Sequence, residues 1–301
     1  MRILHIDTGT EMRGGQRQVL LLMAGLAEAG HECVLLASER NPLAQAAMRA
    51  GHIVRAAEAK ELWQSSKQAA MVHAHDARAH TLAAIASRRR FVVSRRVAFP
   101  VRRSVASLWK YQRATRFIAV SQFVANQLQA AGIRKEKIDL VYDGVEVVAP
   151  AEPWDRAYPA VALASRDPQK GRDLVEQAAA IAHIPVRFSD NLAEDLSRAA
   201  MFVYITRSEG LGSAALLAMS MGVPVIASNI GGLSEVIANN ASGLLVANEA
   251  AEIASAMRRV LEEPGLAAEL IGRARARVGE RFTSRDLVKG TLASYERALA
   301  R

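Results

Sequence analysis

Short, largely apolar runs of two to six residues recur along this 301-residue chain, separated by segments that repeat at helical period. They fall at residues 3–6, 33–37, 53–54, 71–75, 91–94, 117–120 and 138–142, and again at 160–164, 186–188, 201–206, 223–228 and 244–246. A run so short and so largely apolar predicts a strand covered on both faces. Between the runs, residues 16–29 place Val19, Leu22, Met23 and Leu26 on one helical face. Residues 42–50, 121–131, 173–182, 191–200, 213–221 and 249–262 are further predicted helices, and Gly30, Gly51 and Gly222 stand where helix C-termini favour glycine. Strand and helix in alternation fold as an open parallel sheet with helices on both faces. The alternation breaks at residues 146–159, which carry Pro150, Pro153 and Pro159 and have the composition of a linker. The expected fold class is therefore α/β, with two doubly wound, Rossmann-like domains facing a cleft. Their expected extents are 1–149 and 150–283, followed by an amphipathic helix at 284–301.

Charge is distributed unevenly. Residues 1–150 hold 22 Lys and Arg against 12 Asp and Glu, whereas the remainder holds 17 against 18. No acidic residue occurs from Ala77 through Lys135, a span that includes Arg88, Arg89, Arg90, Arg95, Arg96, Arg102, Arg103, Lys110, Arg113 and Arg116. Phe99, Pro100, Val101, Trp109 and Tyr111 are interleaved with them. Cations mixed with aromatics at 88–116 suit an anionic membrane surface or a phosphate-bearing acceptor, although a solvated basic face has the same composition. No nucleic-acid-binding module accompanies the charge, so nucleic acid is not an expected partner. The single cysteine, Cys33, lies in a predicted strand and reads as a small buried hydrophobe in a reducing compartment. Met1 and Arg2 lead directly into a strand-like run rather than an apolar leader, and the longest apolar stretch, 211–227, is cut by Gly222 and Pro224. The expectation is a cytoplasmic chain, with peripheral association at the inner membrane face open to it.

The chemistry concentrates at residues 201–235. A predicted strand runs into the turn Glu209-Gly210-Leu211-Gly212, and a helix opens at Ser213. This order presents free backbone N–H groups at a helix start, which favours phosphate. The next strand empties into Gly231-Gly232 ahead of a second predicted helix, and two such starts side by side suggest a diphosphate. Gly14 and Gly15 close the loop at 7–15 before the first helix, at the carboxyl end of the first strand. In the run at 71–75, His73 and His75 face the same way. A metal site would need a third ligand, and no further His or Cys lies at a recognisable spacing. His75 is at the strand's carboxyl end, where such folds place their chemistry.

These residues resemble the retaining family 4 glycosyltransferases (group 1 glycosyltransferases) of GT-B fold, here in a compact variant. The resemblance is carried by Ser208-Glu209-Gly210-Leu211-Gly212, by Gly222-Val223-Pro224-Val225-Ile226-Ala227-Ser228 and by Gly231-Gly232-Leu233-Ser234-Glu235. It is supported by Arg13-Gly14-Gly15, His73-Ala74-His75, Ile118-Ala119-Val120-Ser121 and Val141-Tyr142-Asp143-Gly144-Val145. The resemblance implies a nucleotide-sugar donor held by the C-terminal domain, an acceptor held by the N-terminal domain, and a last helix that packs back on the N-terminal domain. Arg166 and Lys170 correspond to the basic pair that neutralises the donor diphosphate, together with Gly210, Leu211, Gly212 and Ser213. Gly14 and Gly15 correspond to the loop that closes over the phosphates. Glu209 corresponds to the acidic residue at the donor sugar and His75 to the histidine near the transferred group, the two catalytic candidates. The implied function is metal-independent, cofactor-free sugar transfer to a glycan or lipid-linked acceptor in cell-envelope polysaccharide or lipopolysaccharide synthesis.

The chain departs from the family pattern at Leu217, where a second glutamate would bind the nucleotide ribose. A leucine cannot accept the hydrogen bonds of a diol, each worth about 1.5–3 kcal/mol to a charged group; Ser213, one turn earlier, shares that helical face. The loop from Arg166 to Lys170 is one residue short, and a strand–helix unit usual in the family is missing between His183 and Val186. Leu217 is the best support for an alternative, a non-catalytic GT-B protein that binds a sugar ligand or a partner enzyme. A dinucleotide oxidoreductase could claim Gly210-Leu211-Gly212-Ser213-Ala214-Ala215, but that fingerprint lies late in its domain. It also meets Ile230 where an acidic residue belongs.

Overall fold

A computed structural model describes residues 1–101, 104–147 and 153–300. Arg102 and Arg103 of the basic stretch, positions 148–152 of the proline-bearing linker and Arg301 lie outside the described residues. Two compact units divide the chain: Met1–Gly144 with Ser284–Arg301, and Val145–Thr283.

The first unit is built on strands β1 (Arg2–Ile6), β2 (Glu32–Leu36), β3 (Ile53–Arg55), β4 (Met71–Ala74), β5 (Phe91–Arg95), β6 (Arg116–Ala119) and β7 (Ile138–Leu140). They form one parallel sheet in the order β3-β2-β1-β4-β5-β6-β7. Its helices are α1 (Gly14–Glu28), α2 (Pro42–Arg49), α3 (Ala59–Ser65), α4 (Ala77–Ala86), α5 (Val105–Arg113) and α6 (Gln122–Ala130). Side chains just ahead of several helices accept from their first free N–H groups: Asn41 from Ala44, Asp76 from Arg78 and Ala79, and Ser121 from Val124. Strand order reverses between β1 and β4, so the loops leaving their carboxyl ends diverge and open a crevice at the sheet edge.

The second unit carries β8 (Ala160–Leu163), β9 (Val186–Ser189), β10 (Met201–Tyr204), β11 (Val225–Ser228) and β12 (Leu244–Val246), parallel in the order β12-β11-β10-β8-β9. Helices α7 (Arg172–Ala182), α8 (Leu192–Leu196), α9 (Ser213–Ser220), α10 (Leu233–Val236), α11 (Ala250–Glu262) and α12 (Leu266–Arg281) cover it. Here the order reverses between β8 and β10. Predicted helix 191–200 is shorter than expected because the chain beyond it is drawn into the sheet, where Ala200 N–H donates to the Pro159 carbonyl at 3.0 Å.

The last helix, α13 (Ser284–Leu299), belongs to the first unit. Its Leu287, Val288, Tyr295 and Ala298 share one core with Ile3, Val19, Leu22 and Leu35. Two glycines let it approach closely: a Cβ on Gly25 of α1 would come within 2.5 Å of Val288, and one on Gly290 within 2.8 Å of Val141. Polar contacts fix its rotation. Asp139 accepts from Arg116 Nε at 2.6 Å and Nη2 at 2.7 Å, from Ser294 Oγ at 2.7 Å and from Arg297 Nε at 3.0 Å. Arg90 donates to the terminal carbonyls of Ala298 and Leu299.

Cys33 is buried in β2, and burial pushes its thiol up to about 11, which leaves it an inert core residue. The described residues of the basic stretch at 88–116, by contrast, do not form one surface. Arg96 and Arg116 turn inward to Asp143 and Asp139, Arg95 bonds the Tyr111 hydroxyl, and Tyr111 itself is buried. Arg88, Arg89 and Arg90 precede β5 while α5 follows it, so five strand residues, roughly 16 Å, separate the two groups. Exposed apolar residues in this stretch are Val97, Phe99, Val105, Leu108 and Trp109, with Arg113 beside Trp109. Among the described residues, no helix is long and apolar enough to cross a membrane.

Candidate active site

In the second unit, the reversal between β8 and β10 brings the loops at 164–171 and 205–212 together. The turn Pro168–Lys170 is tied to the end of β10 through Gln169, whose carbonyl accepts from Arg207 N–H at 2.7 Å and Thr206 Oγ1 at 2.9 Å. Lys170 Nζ thereby meets Glu209 Oε2 at 3.1 Å. The same oxygen accepts from the Tyr204 hydroxyl, and Oε1 accepts from Gly210 N–H at 3.1 Å. Burial first, and then the neighbouring Glu209 carboxylate, raise the Tyr204 hydroxyl well above its ordinary value, so it stays a donor. Glu209 is thus a half-buried carboxylate held on three sides. Arg166 stands exposed in the same loop region and has no part in that network.

The turn that carries Glu209 depends on the glycines around it. Gly231 has φ +53°, and a Cβ there would collide with the Glu209 carbonyl oxygen; one on Gly232 would collide with that of Gly210. Gly231-Gly232 therefore forms the packing surface for the Glu209–Gly212 turn. This corrects the expectation of two anion-receptive helix starts, because α10, which opens there, has only four residues. Ser213 opens α9, with Gly212 at φ +112° before it, and Gly210 and Leu211 are buried in the turn. Leu217 is half-buried one turn along α9 from Ser213. Behind the site, Ser228 Oγ accepts from Thr206 N–H at 2.9 Å and Asn248 Nδ2 donates to the Thr206 carbonyl at 3.0 Å, fastening β10 to its neighbours.

In the first unit, Gly14 and Gly15 form the first turn of α1 rather than a loop before it, so their N–H groups are among its free donors. Gln16 holds the turn: its Oε1 accepts from Arg13 N–H at 3.2 Å and its Nε2 donates to both Asp7 oxygens at 3.2 Å. Burial raises the Asp7 carboxyl, and the Gly9 N–H bond works against that rise.

The register of β1 on β4 sets His5 beside His73, and His75 follows on the same face. His5 Nδ1 lies 3.0 Å from His75 Nε2, and Arg96 Nη1 lies 3.3 Å from His75 Nδ1. Arg96 is held in turn by Asp143, with 3.1 Å from Nε to Oδ1. His73 is engaged at both nitrogens, by the Tyr295 hydroxyl at 2.7 Å and Ser94 Oγ at 2.8 Å. Burial is the main cause that lowers all three imidazoles: His5 falls to about 3, and His73 and His75 well below their ordinary value. A third histidine, invisible to sequence spacing, thus comes within 4.8 Å of the pair. The surroundings are those of a hydrogen-bonded cluster. Arg96 is a fixed cation against one ring, no carboxylate among the described residues joins the three, and both His73 nitrogens are already used.

The resemblance assigns Lys170 to the donor diphosphate and Glu209 to the donor sugar, and it gives no site role to Tyr204, His5, Arg96 or Asp143. Tyr204 is the last residue of an apolar strand, and Arg96 reads in sequence as one more surface charge. Folding shows what they touch: the turn after β10 brings Glu209 back to Tyr204, and the sheet brings Asp143 to Arg96.

A family model described as "Glycosyltransferase Family 4" matches residues 12–148, and one described as "Glycosyl transferases group 1" matches residues 165–277. The chain belongs to the family 4, group 1 glycosyltransferases. Among curated proteins it is similar to D-inositol 3-phosphate glycosyltransferase of Acidothermus cellulolyticus, 36% identical over 140 residues, covering 45% of this chain and 31% of that protein. The matched part spans about a third of the length of such relatives. Among solved structures it is similar to Anabaena HepE in complex with UDP and glucose, with TM-score 0.86 and 17% identity over 98% of this chain and 99% of that one. A glycosyltransferase from Rickettsia africae gives TM-score 0.83 and 18% identity over 99% and 98%. At such identities the likeness is one of fold, the GT-B arrangement of two parallel-sheet α/β domains.

Proposed function

We propose that this chain transfers a sugar from a nucleotide-sugar to an acceptor hydroxyl, with retention of anomeric configuration and without a metal ion. The observation that carries the reading is the Lys170–Glu209–Tyr204 network at the carboxyl edge of the second sheet, beside the N-terminus of α9. In the reaction, the bond between the sugar's anomeric carbon and the diphosphate oxygen breaks as the acceptor oxygen bonds to that carbon from the same face. The acceptor's proton passes to the departing phosphate oxygen. Negative charge grows on the diphosphate, and Lys170, Arg166 and the free N–H groups of Ser213 and its neighbours offer fixed positive charge there. No Asp-x-Asp carboxylate pair is present to recruit a cation. Glu209, oriented by Tyr204 and Gly210, accepts hydrogen bonds from the sugar. HepE, of similar fold, is described with UDP and glucose, which makes UDP-sugars the first donors to try.

The test is a thermal-shift screen of nucleoside diphosphate sugars on the whole chain, followed by donor hydrolysis and transfer assays. Glu209→Ala is expected to lower turnover about tenfold to a hundredfold, the loss of one charge-assisted hydrogen bond in the transition state. If no donor binds and the variant matches the parent protein, the transferase reading falls and a non-catalytic binding role, which Leu217 favours, takes its place. Leu217→Glu is expected to tighten nucleotide binding about tenfold or more by calorimetry, because a half-buried carboxylate there would face the ribose. Unchanged affinity would show that the ribose lies elsewhere.

The acceptor is proposed to be a glycan or lipid-linked sugar of the cell envelope, reached at an anionic membrane surface. Support comes from the exposed apolar residues Phe99, Val105, Leu108 and Trp109, the last of which lies beside Arg113.

A further inference from the structure

The contacts of His75 determine where its proton resides. A guanidinium has five N–H donors and no acceptor. Arg96 Nη1, 3.3 Å from His75 Nδ1, therefore requires a lone pair on that nitrogen. The neutral ring then carries its proton on Nε2, which faces His5 Nδ1 at 3.0 Å and donates to it. His5 must in turn carry its own proton on Nε2. That atom is buried and has no hydrogen-bond partner among the described residues. That atom is unpartnered whichever way the chain runs, so the direction is set at the other end, by Arg96. Reversing the chain would set an N–H of His75 against an N–H of Arg96, and protonating the ring fully would add a cation beside a guanidinium whose one carboxylate partner, Asp143, is already used.

We infer that Arg96, anchored by Asp143, is a positioning residue that fixes His75 as its Nε2–H tautomer. Arg96 is itself almost enclosed, with 11% of its side chain exposed, and its Cδ packs against Gly15, 3.7 Å from where a Cβ would be. One side chain thus braces both the glycine turn of α1 and the imidazole at the end of β4. In this state the only lone pair on His75 is covered by Arg96. The ring is a hydrogen-bond donor that rests on His5, and it cannot act as a base. This assigns His75 the role of offering Nε2–H to an oxygen of a bound molecule in exchange for His5. Only that last role rests on the proposed transferase function; the tautomer does not.

The test is a long-range proton–nitrogen NMR correlation of the whole ¹⁵N-labelled chain near neutral pH, with His75 assigned by its absence in His75→Gln. The expected spectrum shows His75 with a protonated Nε2 and a bare Nδ1. Arg96→Lys, still a pure donor, is expected to keep that pattern. Arg96→Gln, whose amide oxygen can turn to face Nδ1, is expected to move part of the population to Nδ1–H. Nδ1–H or a doubly protonated ring in the parent protein would overturn the inference, and so would an Arg96→Gln spectrum identical to the parent's. Should Arg96→Gln fail to fold, the parent and Arg96→Lys spectra decide alone. Absence of any nucleotide-sugar binding alongside the expected spectrum would overturn the transferase reading and leave the tautomer standing.

Discussion

Lowering the pH from 6.5 towards 4 is expected to unfold the first unit in one cooperative step. His5, His73, His75 and His80 are all buried there as neutral rings. Burial is the leading cause in each case. His5 is lowered to about 3, His80 to about 4 with Lys110 as second cause, and His73 and His75 well below 6.5. The unfolded chain takes up a proton on each near 6.5, whereas the folded unit refuses it until the pH is far lower. Their contribution to stability is therefore complete above 6.5 and falls away as the pH drops through the window down to the folded values. Each histidine costs about 1.4 kcal/mol per pH unit in that window, so four acting together remove about 5–6 kcal/mol per unit. Two pH units then match the whole stability of an ordinary domain, about 5–15 kcal/mol. Asp7, raised by burial, opposes the trend as a single group. Urea-unfolding midpoints of the whole chain across this range measure the slope. His80→Gln, which keeps a donor for the Lys110 carbonyl, should lower the slope by about one proton; a parent slope of one proton or less would show that the cluster is hydrated.

Asp139→Ala is expected to destabilise the first unit by about 3–5 kcal/mol, the cost of stripping the partner from a buried charge. Arg116 is only 4% exposed, and its Nε and Nη2 both lie on Asp139. Burial alone would raise the Asp139 carboxyl, but Arg116, Ser294 and Arg297 outweigh it and hold the group below its ordinary 3.8. That share of stability is present above the ordinary value and is lost as the pH falls through the lowered one. Loss of the carboxylate also frees Ser294 and Arg297, so α13 loses its polar key at the same stroke. Calorimetric melting of the variant is the measurement, and a loss under about 1 kcal/mol would mean that water replaces the carboxylate.

Strands were legible because each is a brief run of apolar residues, and β1, β2, β4, β10 and β11 match it. Helices α3, α4, α5 and α12 were not. The buried face of α4 is Ala79, His80, Ala83, Ala84 and Ala86, and that of α12 alternates alanine with Leu270 and Val278, so neither shows a large apolar stripe. In α5 the apolar Val105, Leu108 and Trp109 face outward, which inverts the usual pattern. At the site, contacts within one turn, such as Glu209 with Gly210, could be read from the sequence. His5 with His75, or Arg96 with Asp143, lie 70 and 47 positions apart and meet only through strand register.

The placement of α13 also governs when the protein can fold. Residues 1–144 leave the ribosome with an unfilled groove where Leu287, Val288 and Tyr295 belong and with Asp139 and Arg116 awaiting Ser294 and Arg297. The segment Val145–Thr283 has its own core and can fold as it emerges. Synthesis order and completion order are therefore expected to differ: the unit whose translation starts first is completed only after α13 has emerged. A nascent chain halted before residue 284 is expected to expose that groove, even though the sheet it belongs to was translated long before.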